Sequence, residues 1–497
     1  MKGKWWGGVA ALLAAGLFCA AQARAQSVVT YHNAPDRSGE YVVPGLSLTA
    51  AAGLHLDTAF HATISGNVYA QPLYWAPSGG PKLLIVATES NLVYGLNANT
   101  GAEIWKTQLP ASVPRSVLPC GDINPEGITG TPVIDPASGT LYLDALVLAS
   151  GNVPRHRIYA LSAATGKILP HWPLDVDTAA AKLGNPFDSA IQGERSALLF
   201  FGGKVYVAYS GRAGDCKAYR GVVIEVTPSA TPALTANWVT RALRGGIWAQ
   251  GGVTSDGKSL YATTGNTAGT DTFGDGESIV RLVSGLAPPA SSKDYFAPTN
   301  WKAMDQADAD LGSTSAIPIA APGTGSTPAA RILGLGKDGH AYLLDATNLG
   351  GIGNGLLIEP VSNSRIVTAP AVYNTPRSAM VVFTDRAGRS ANCSGNSLTM
   401  LKVTADAAQP ISIAWCAVLS GYGSPIITTT NGSAAGIVWV AGAEGDNEIH
   451  GFNVLNGKTV FAGTGTAMTG LHRYGTLIAA NHHLYVAADG TVYGFTF

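Results

Sequence analysis

Charge is scarce in this chain. Charged residues make up 13% of its 497 positions, against about 25% in ordinary soluble domains, and the formal net charge is −1. A nucleic-acid surface needs a basic excess, and none is present. Cysteine is scarce as well, at 5 residues, with no Cys-x-x-Cys-His to hold a haem, no Cys-x-x-Cys or Cys/His cluster to hold zinc, and no Cys-Cys dipeptide. No apolar run approaches the roughly 20 residues that cross a bilayer. Nor does a charged or Pro-rich linker divide the chain, although its length alone would suggest about three domains.

Residues 1–25 read as a secretory signal. Lys2 and Lys4 precede an apolar run from Val9 to Ala21, and Ala23-Arg24-Ala25 forms a small-x-small cleavage site. Bulky Phe18 before Cys19 argues against lipoprotein processing. The expected mature domain is 26–497, periplasmic or secreted. Its cysteines, Cys120, Cys216, Cys393 and Cys416, are even in number, which in an oxidising compartment implies two disulfides. The pairs expected from neighbouring positions along the chain are Cys120–Cys216 and Cys393–Cys416.

What the chain has in abundance is glycine, 61 residues, and a recurring turn. LNANTGAEIW (Leu96 to Trp105) and LSAATGKIL (Leu161 to Leu169) both place Thr-Gly after a β-rich run, with LLDATNLGG and GFNVLNGKTVF as weaker copies. Glycine supplies there a backbone angle that other residues resist. Small- and Pro-rich strands recur near Tyr69, Gly130, Ser196, Gly245, Ser313, Thr368, Gly423 and Tyr474, each usually followed by an alternating apolar strand. About eight units of roughly 45 residues predict an all-β fold, a single β-propeller of four-stranded blades. Seven blades is the alternative. The last unit ends at Phe497 after its third strand, so GLHLDTAF (Gly53 to Phe60) is expected to supply the missing outer strand and close the ring.

The Thr-Gly-x-x-x-Trp spacing after a Tyr-ending strand resembles the pyrroloquinoline quinone (PQQ) propeller family, in which the Trp and the Thr-Gly turn lock adjacent blades. Non-catalytic outer-membrane assembly scaffolds share these repeats. The catalytic branch, the quinoprotein alcohol dehydrogenases, is resembled more locally by GGIWAQGG…LYATTGN, DQADADLGS and GKDGHAYLLD. The resemblance implies that Trp248 stacks under the cofactor ring and that Asn266 binds calcium. It further implies that Asp308 is the base and a calcium ligand, with Asp310 in reserve, and that Lys337 contacts the quinone. PQQ is flat and anionic, calcium takes hard oxygen ligands, and an ionised Asp can accept a substrate hydroxyl proton.

Two family features are changed. The strained Cys-Cys ring is missing, and the segment resembling the calcium glutamate region, SGRAGDCKAYRG, offers only Asp215; Glu194 is the other acid within reach of that region. Each side chain also has a plain reading: Trp248 as blade packing, Asn266 as a turn residue, Asp308 and Asp310 as a solvated turn, Lys337 as an exposed hairpin residue. Three functions are therefore expected to compete. The first is a PQQ- and calcium-dependent dehydrogenase of small-molecule alcohols or sugars, and the second a secreted propeller that binds protein or glycan at its central face. The third, a polysaccharide lyase or hydrolase, would draw on His156, His171, His340 or His472. The His482-His483 pair between two strands reads as an exposed turn.

Overall fold

A computed structural model describes residues 27–319, 331–386, 388, 395, 397–405, 409–465 and 467–497. The signal segment and Cys393 expected from the sequence lie outside them. Eight sheets form eight blades, and their first strands are Leu73–Trp75, Val133–Asp135, Leu199–Phe201, Thr254–Ser255, Ile317–Ile319, Ala371–Asn374, Ile426–Thr429 and Leu477–Ala480. Within each blade the strands run antiparallel to their neighbours in sequence. Strand periodicity decides where the core sits, because successive side chains leave a strand on opposite faces. Along Leu83–Ala87, Leu83, Ile85 and Ala87 pack towards the second blade, while Leu84 and Val86 pack towards the eighth. The hydrophobic core is thus divided into layers between blades.

The repeat turns are the locks between those layers. Trp105 lies where a Cβ on Gly166 would meet its ring at 2.3 Å, and its indole N–H donates to Ala163 O at 3.2 Å. Gly166, at φ +69°, is therefore required both by its backbone and by close approach. Trp415 repeats the lock between the sixth and seventh blades, donating to Val454 O at 2.9 Å and covering Gly457. The turn of this second lock was legible as a weaker copy, but Trp415 was not, because no Thr-Gly precedes it in its own blade. The ring closes as expected. His55–Leu56 pairs with Phe495 and Thr496, and Ala62–Thr63 pairs further along the same last strand.

Two details differ from expectation. GGIWAQGG is not the first strand of the fourth blade; that strand is Thr254–Ser255, and the Trp248 segment runs as extended chain held by Gly265 N donating to Gly246 O at 3.0 Å. The His pair is split. His482 is exposed, whereas His483 begins a strand, is buried, and meets Asp57 Oδ2 at 2.8 Å. Cys120 and Cys216 are disulfide-bonded with Cα atoms 6.0 Å apart, and Cys416 is disulfide-bonded. Among the described residues no helix is long and apolar enough to cross a membrane.

The segment from Val28 to Val43 crosses the axis of the ring. It meets Tyr74 of the first blade, accepts from Ile134 N and Ser255 N, and runs parallel to Ile426–Thr429 as strand Glu40–Val42. Arg37 anchors it in the interior, donating to Gly251 O, Leu198 O and Val253 O. Buried, this guanidinium satisfies backbone carbonyls that would otherwise lack partners.

Candidate active site at the channel mouth

Above that crossing segment the channel opens into a cavity of about 530 Å³, with Tyr31 in its lining. A side pocket of about 250 Å³ adjoins it and is lined by Trp248, Asn266, Asp308, Asp310, Lys337 and Asp215. Trp248 and Lys337 line both spaces. The four blade-derived segments expected from the sequence are thus brought to one place.

Local structure explains each position. Asn266 follows strand Leu260–Thr264, where Gly265 is needed because a Cβ there would lie 2.8 Å from Asp310 Oδ1 and 3.1 Å from Trp248 Nε1. The helix Trp301–Ala307 ends at Asp308 in the left-handed conformation (φ 52°), which short polar side chains tolerate. Asp305 stitches that helix to the strand end by accepting from Thr267 N and Oγ1, both at 2.7 Å. Lys337 sits in the hairpin between Arg331–Leu335 and His340–Asp345 of the fifth blade. Its N–H donates to Asp310 O at 2.9 Å.

The side chains form one network. Lys337 Nζ lies 2.5 Å from Asp310 Oδ2 and 3.0 Å from Asp308 Oδ1, and 4.9 Å from the centre of the Trp248 ring. Asn266 donates its backbone N–H to Asp310 Oδ1 at 3.0 Å and its amide to Asp308 Oδ1 at 3.1 Å. Its own Oδ1 is buried without a partner. Burial opposes ionisation of Asp308, but Lys337, Asn266 and Arg365 together hold its carboxyl below the usual range. For Asp310 burial wins and pushes the carboxyl up, although Lys337 is beside it. Burial disfavours the Lys337 ammonium, and the two carboxylates overcome that and raise it.

Asp215 is engaged elsewhere, accepting from Tyr219 OH at 2.7 Å with Arg244 at 3.8 Å. Glu194 lies away from the pocket, buried, accepting from Gly130 N at 2.9 Å. Among the described residues no group of three or more His, Cys, Asp or Glu side chains could hold a metal ion. Of the four histidines, only His472 lines the cavity, stacked on Tyr69 and held by Asp489 at 2.9 Å. His156 is buried against Asp144 between the second and third blades. Sequence reasoning missed the cavity's arginines, Arg195, Arg365, Arg386 and Arg473, because they stand on loops of different blades with no shared motif.

Similarity to known proteins follows this geometry. A family model described as outer membrane protein assembly factor BamB matches residues 61–222. Quinohemoprotein alcohol dehydrogenase from Comamonas testosteroni superposes with a TM-score of 0.64 at 17% identity, covering 95% of this chain and 81% of that one. The chain is an eight-bladed β-propeller, and residues 61–222 of it resemble the family of that model. A europium-containing methanol dehydrogenase superposes at 0.63 and 15% identity, covering 94% of this propeller and 90% of that chain. BamB from Moraxella catarrhalis superposes at 0.52 and 15% identity, covering 89% and 100%. At these identities the likeness concerns the fold. No curated protein sequence matches the propeller significantly.

Proposed function

We propose that this propeller is a secreted or periplasmic quinoprotein-type oxidoreductase acting on alcohols or sugars, with PQQ and a hard cation as its cofactors. The observation that carries the reading is the convergence of Trp248, Asn266, Asp308 and Lys337 on one pocket, with Asn266 Oδ1 buried and unpaired. An orphaned carbonyl oxygen beside a carboxylate is the donor chemistry that calcium uses, so these residues fit a cation. Asn266 and Asp308 would hold it, with Asp310 behind them; Asp215 would have to leave Tyr219 to join. PQQ when bound supplies a two-electron quinone acceptor.

The chain's own residues would do the rest. Trp248 offers a ring face to a flat anion, and Lys337 offers the cation that a quinone oxygen or carboxylate would share. Asp308, ionised at neutral pH, accepts a substrate hydroxyl proton. Its contact with Lys337 fixes the carboxylate in one orientation before any substrate enters. The disulfide Cys120–Cys216 suits an oxidising compartment and agrees with residues 1–25 as a secretory signal.

A specific observation favours a second reading, a binding propeller without catalysis. Lys337 and Arg365 together already match the two aspartates, so the pocket is electrostatically balanced with no metal. Titration with PQQ, in the presence of calcium or a europium salt, decides between them through Trp fluorescence and dye-linked alcohol oxidation. Quenching with turnover supports the oxidoreductase. No quenching with either cation overturns it and leaves a protein- or glycan-binding propeller.

A further inference from the structure

Trp248 stands on extended chain outside the sheet of its blade, whose first strand begins only at Thr254. The place of the indole therefore depends on the turn that follows it. Gly252 N donates to Ala249 O at 2.9 Å and closes that turn, with Gly252 at φ +60°. Towards the third blade, Ala197 N donates to Gln250 O at 2.8 Å, and Ser196 Oγ lies 3.0 Å from Ala249 O. Towards the ring axis, the turn meets the Val28–Val43 crossing.

Arg37 makes that contact. Its guanidinium is buried and uses all three nitrogens. Nε donates to Gly251 O at 2.9 Å, Nη2 to Leu198 O at 3.1 Å and Val253 O at 3.3 Å, and Nη1 to Thr30 Oγ1 and Tyr31 O of its own segment. One planar group thus ties the crossing to the turn after Trp248 and to the start of the third blade. The fit is close, since a Cβ on Gly251 would lie 3.4 Å from Arg37 Cγ and 2.8 Å from Ser315 Oγ. Tyr31 carries the same connection to the cavity. It lines that space together with Gln250 and Trp248, and its OH lies 3.5 Å from Gln250 Oε1.

The choice of residue is informative. An apolar side chain could close the axis without the desolvation cost of a buried cation. It could not fix carbonyls of two separate segments in one plane, which is what a guanidinium fork does and an ammonium does not. We propose that Arg37 is a positioning residue for Trp248, and that the crossing segment is the floor of the ligand site, setting where a flat ligand stacks. The flat ligand is the PQQ of the quinoprotein reading; the positioning of Trp248 does not depend on it.

The test uses the full mature chain labelled with fluorotryptophan, with the fluorine resonances of Trp248, Trp105 and Trp415 identified by single Trp→Phe substitutions. Arg37→Lys keeps the charge and loses the fork. It should shift or split the Trp248 resonance and leave those of Trp105 and Trp415, which lie in the blade locks, in place. Thr30→Val removes one acceptor of Arg37 and should move the Trp248 resonance less, and it decides the matter if Arg37→Lys does not fold. Quenching by PQQ with calcium should weaken at least about tenfold in the variant whose Trp248 resonance moves most. A Trp248 resonance unchanged in every variant that folds overturns the proposal. Equal shifts of all three resonances also overturn it, because they would mean a general loosening. So does a moved Trp248 with PQQ affinity unchanged, which would leave the floor without a part in ligand binding. If Trp248 alone moves but the wild-type chain never binds PQQ, the quinoprotein reading fails and the positioning by Arg37 stands.

Discussion

Two sets of carboxyl groups lie around this channel, one reaching solvent at Asp308 and the other buried, and they are treated in opposite ways. In the pocket, Asp308 and Asp310 share the Lys337 ammonium. Elsewhere along the channel wall, Glu89, Glu194 and Glu277 each accept one backbone N–H, from Gly127, Gly130 and Leu311, and each keeps one oxygen buried and unpaired. Among the described residues no cation forms an ion pair with them. Burial pushes Glu89 up to about 8 and Glu277 up to about 9, and it raises Glu194 well above its ordinary value. The contrast is sharpest where the two sets meet, since Glu277 feels the charge of Asp310. One cation therefore separates an ionised, proton-accepting site from protonated acids that act as hydrogen-bonding struts.

The largest expected effect removes the ionised member without disturbing the cation. Asp308→Asn keeps the size and lets Lys337 remain on Asp310, so the melting transition should move little. Turnover should fall by roughly three orders of magnitude, the scale of lost general-base catalysis. Steady-state kinetics after loading with PQQ and a cation measure it. A loss below tenfold would make Asp308 a structural partner of Lys337.

Removing the cation should turn one set into the other. Lys337→Met leaves Asp310 buried with a backbone N–H alone, which is the condition of the three glutamates. The cost should be about 3 kcal/mol at pH 7, as expected when a buried pair loses one partner, and denaturant unfolding reads it. Combining Lys337→Met with Asp310→Asn should recover most of that loss. If the double variant is no better than the single one, Lys337 stabilises by packing on Trp248 and not by charge.

These two predictions concern residues that were legible in the sequence, and the reason is local. Asn266 follows a strand, Asp308 ends a helix, Lys337 turns a hairpin and Trp248 stands in the extended chain before a blade, each within a short recognisable phrase that brings it to one face. The eight blades were legible for the same reason: Thr-Gly turns and alternating strands are short-range signals. What escaped was non-local. Glu89 stands in the turn between strands Leu83–Ala87 and Leu92–Asn97, and Glu277 directly before strand Ser278–Leu282, places where an acid is ordinarily solvated and nothing announces burial. The Val28–Val43 crossing has no periodicity because it pairs with several blades in turn. GGIWAQGG was misread as strand because extended chain beside a ring axis carries the same apolar residues as a strand.

The glutamates supply a pH test of the comparison. Glu277 is raised from its ordinary 4.5 to about 9, so the folded protein holds a proton there that the unfolded chain releases. Its stability contribution is full below about pH 4.5 and is lost as pH rises towards 9. The protein should therefore be more stable in mild acid than at neutral pH. Glu277→Gln retains an oxygen to accept from Leu311 N and has no proton to lose. It should match the wild type near pH 4 and exceed it by about 1–3 kcal/mol at pH 8. Parallel denaturant curves at the two pH values check it, and an equal difference at both would mean that Glu277 is ionised in the fold.

The smallest effect on stability is expected at the solvent side of the ionised set. Arg365 lies 3.7 Å from Asp308, with both side chains more than half exposed. Water screens such a pair, and exposed ion pairs contribute between nothing and about 1 kcal/mol. Arg365→Ala should therefore shift the unfolding free energy by less than about 0.5 kcal/mol. It should also let the Asp308 carboxyl rise towards its ordinary value, because one of the groups holding it down is gone. In the loaded enzyme that appears as a shift of the acidic limb of the pH–rate profile to higher pH, since less acid then suffices to protonate the base. A large loss of stability with no change in that limb would place Arg365 among the structural arginines such as Arg37, and the contrast between ionised pocket and protonated wall would then rest on Lys337 alone.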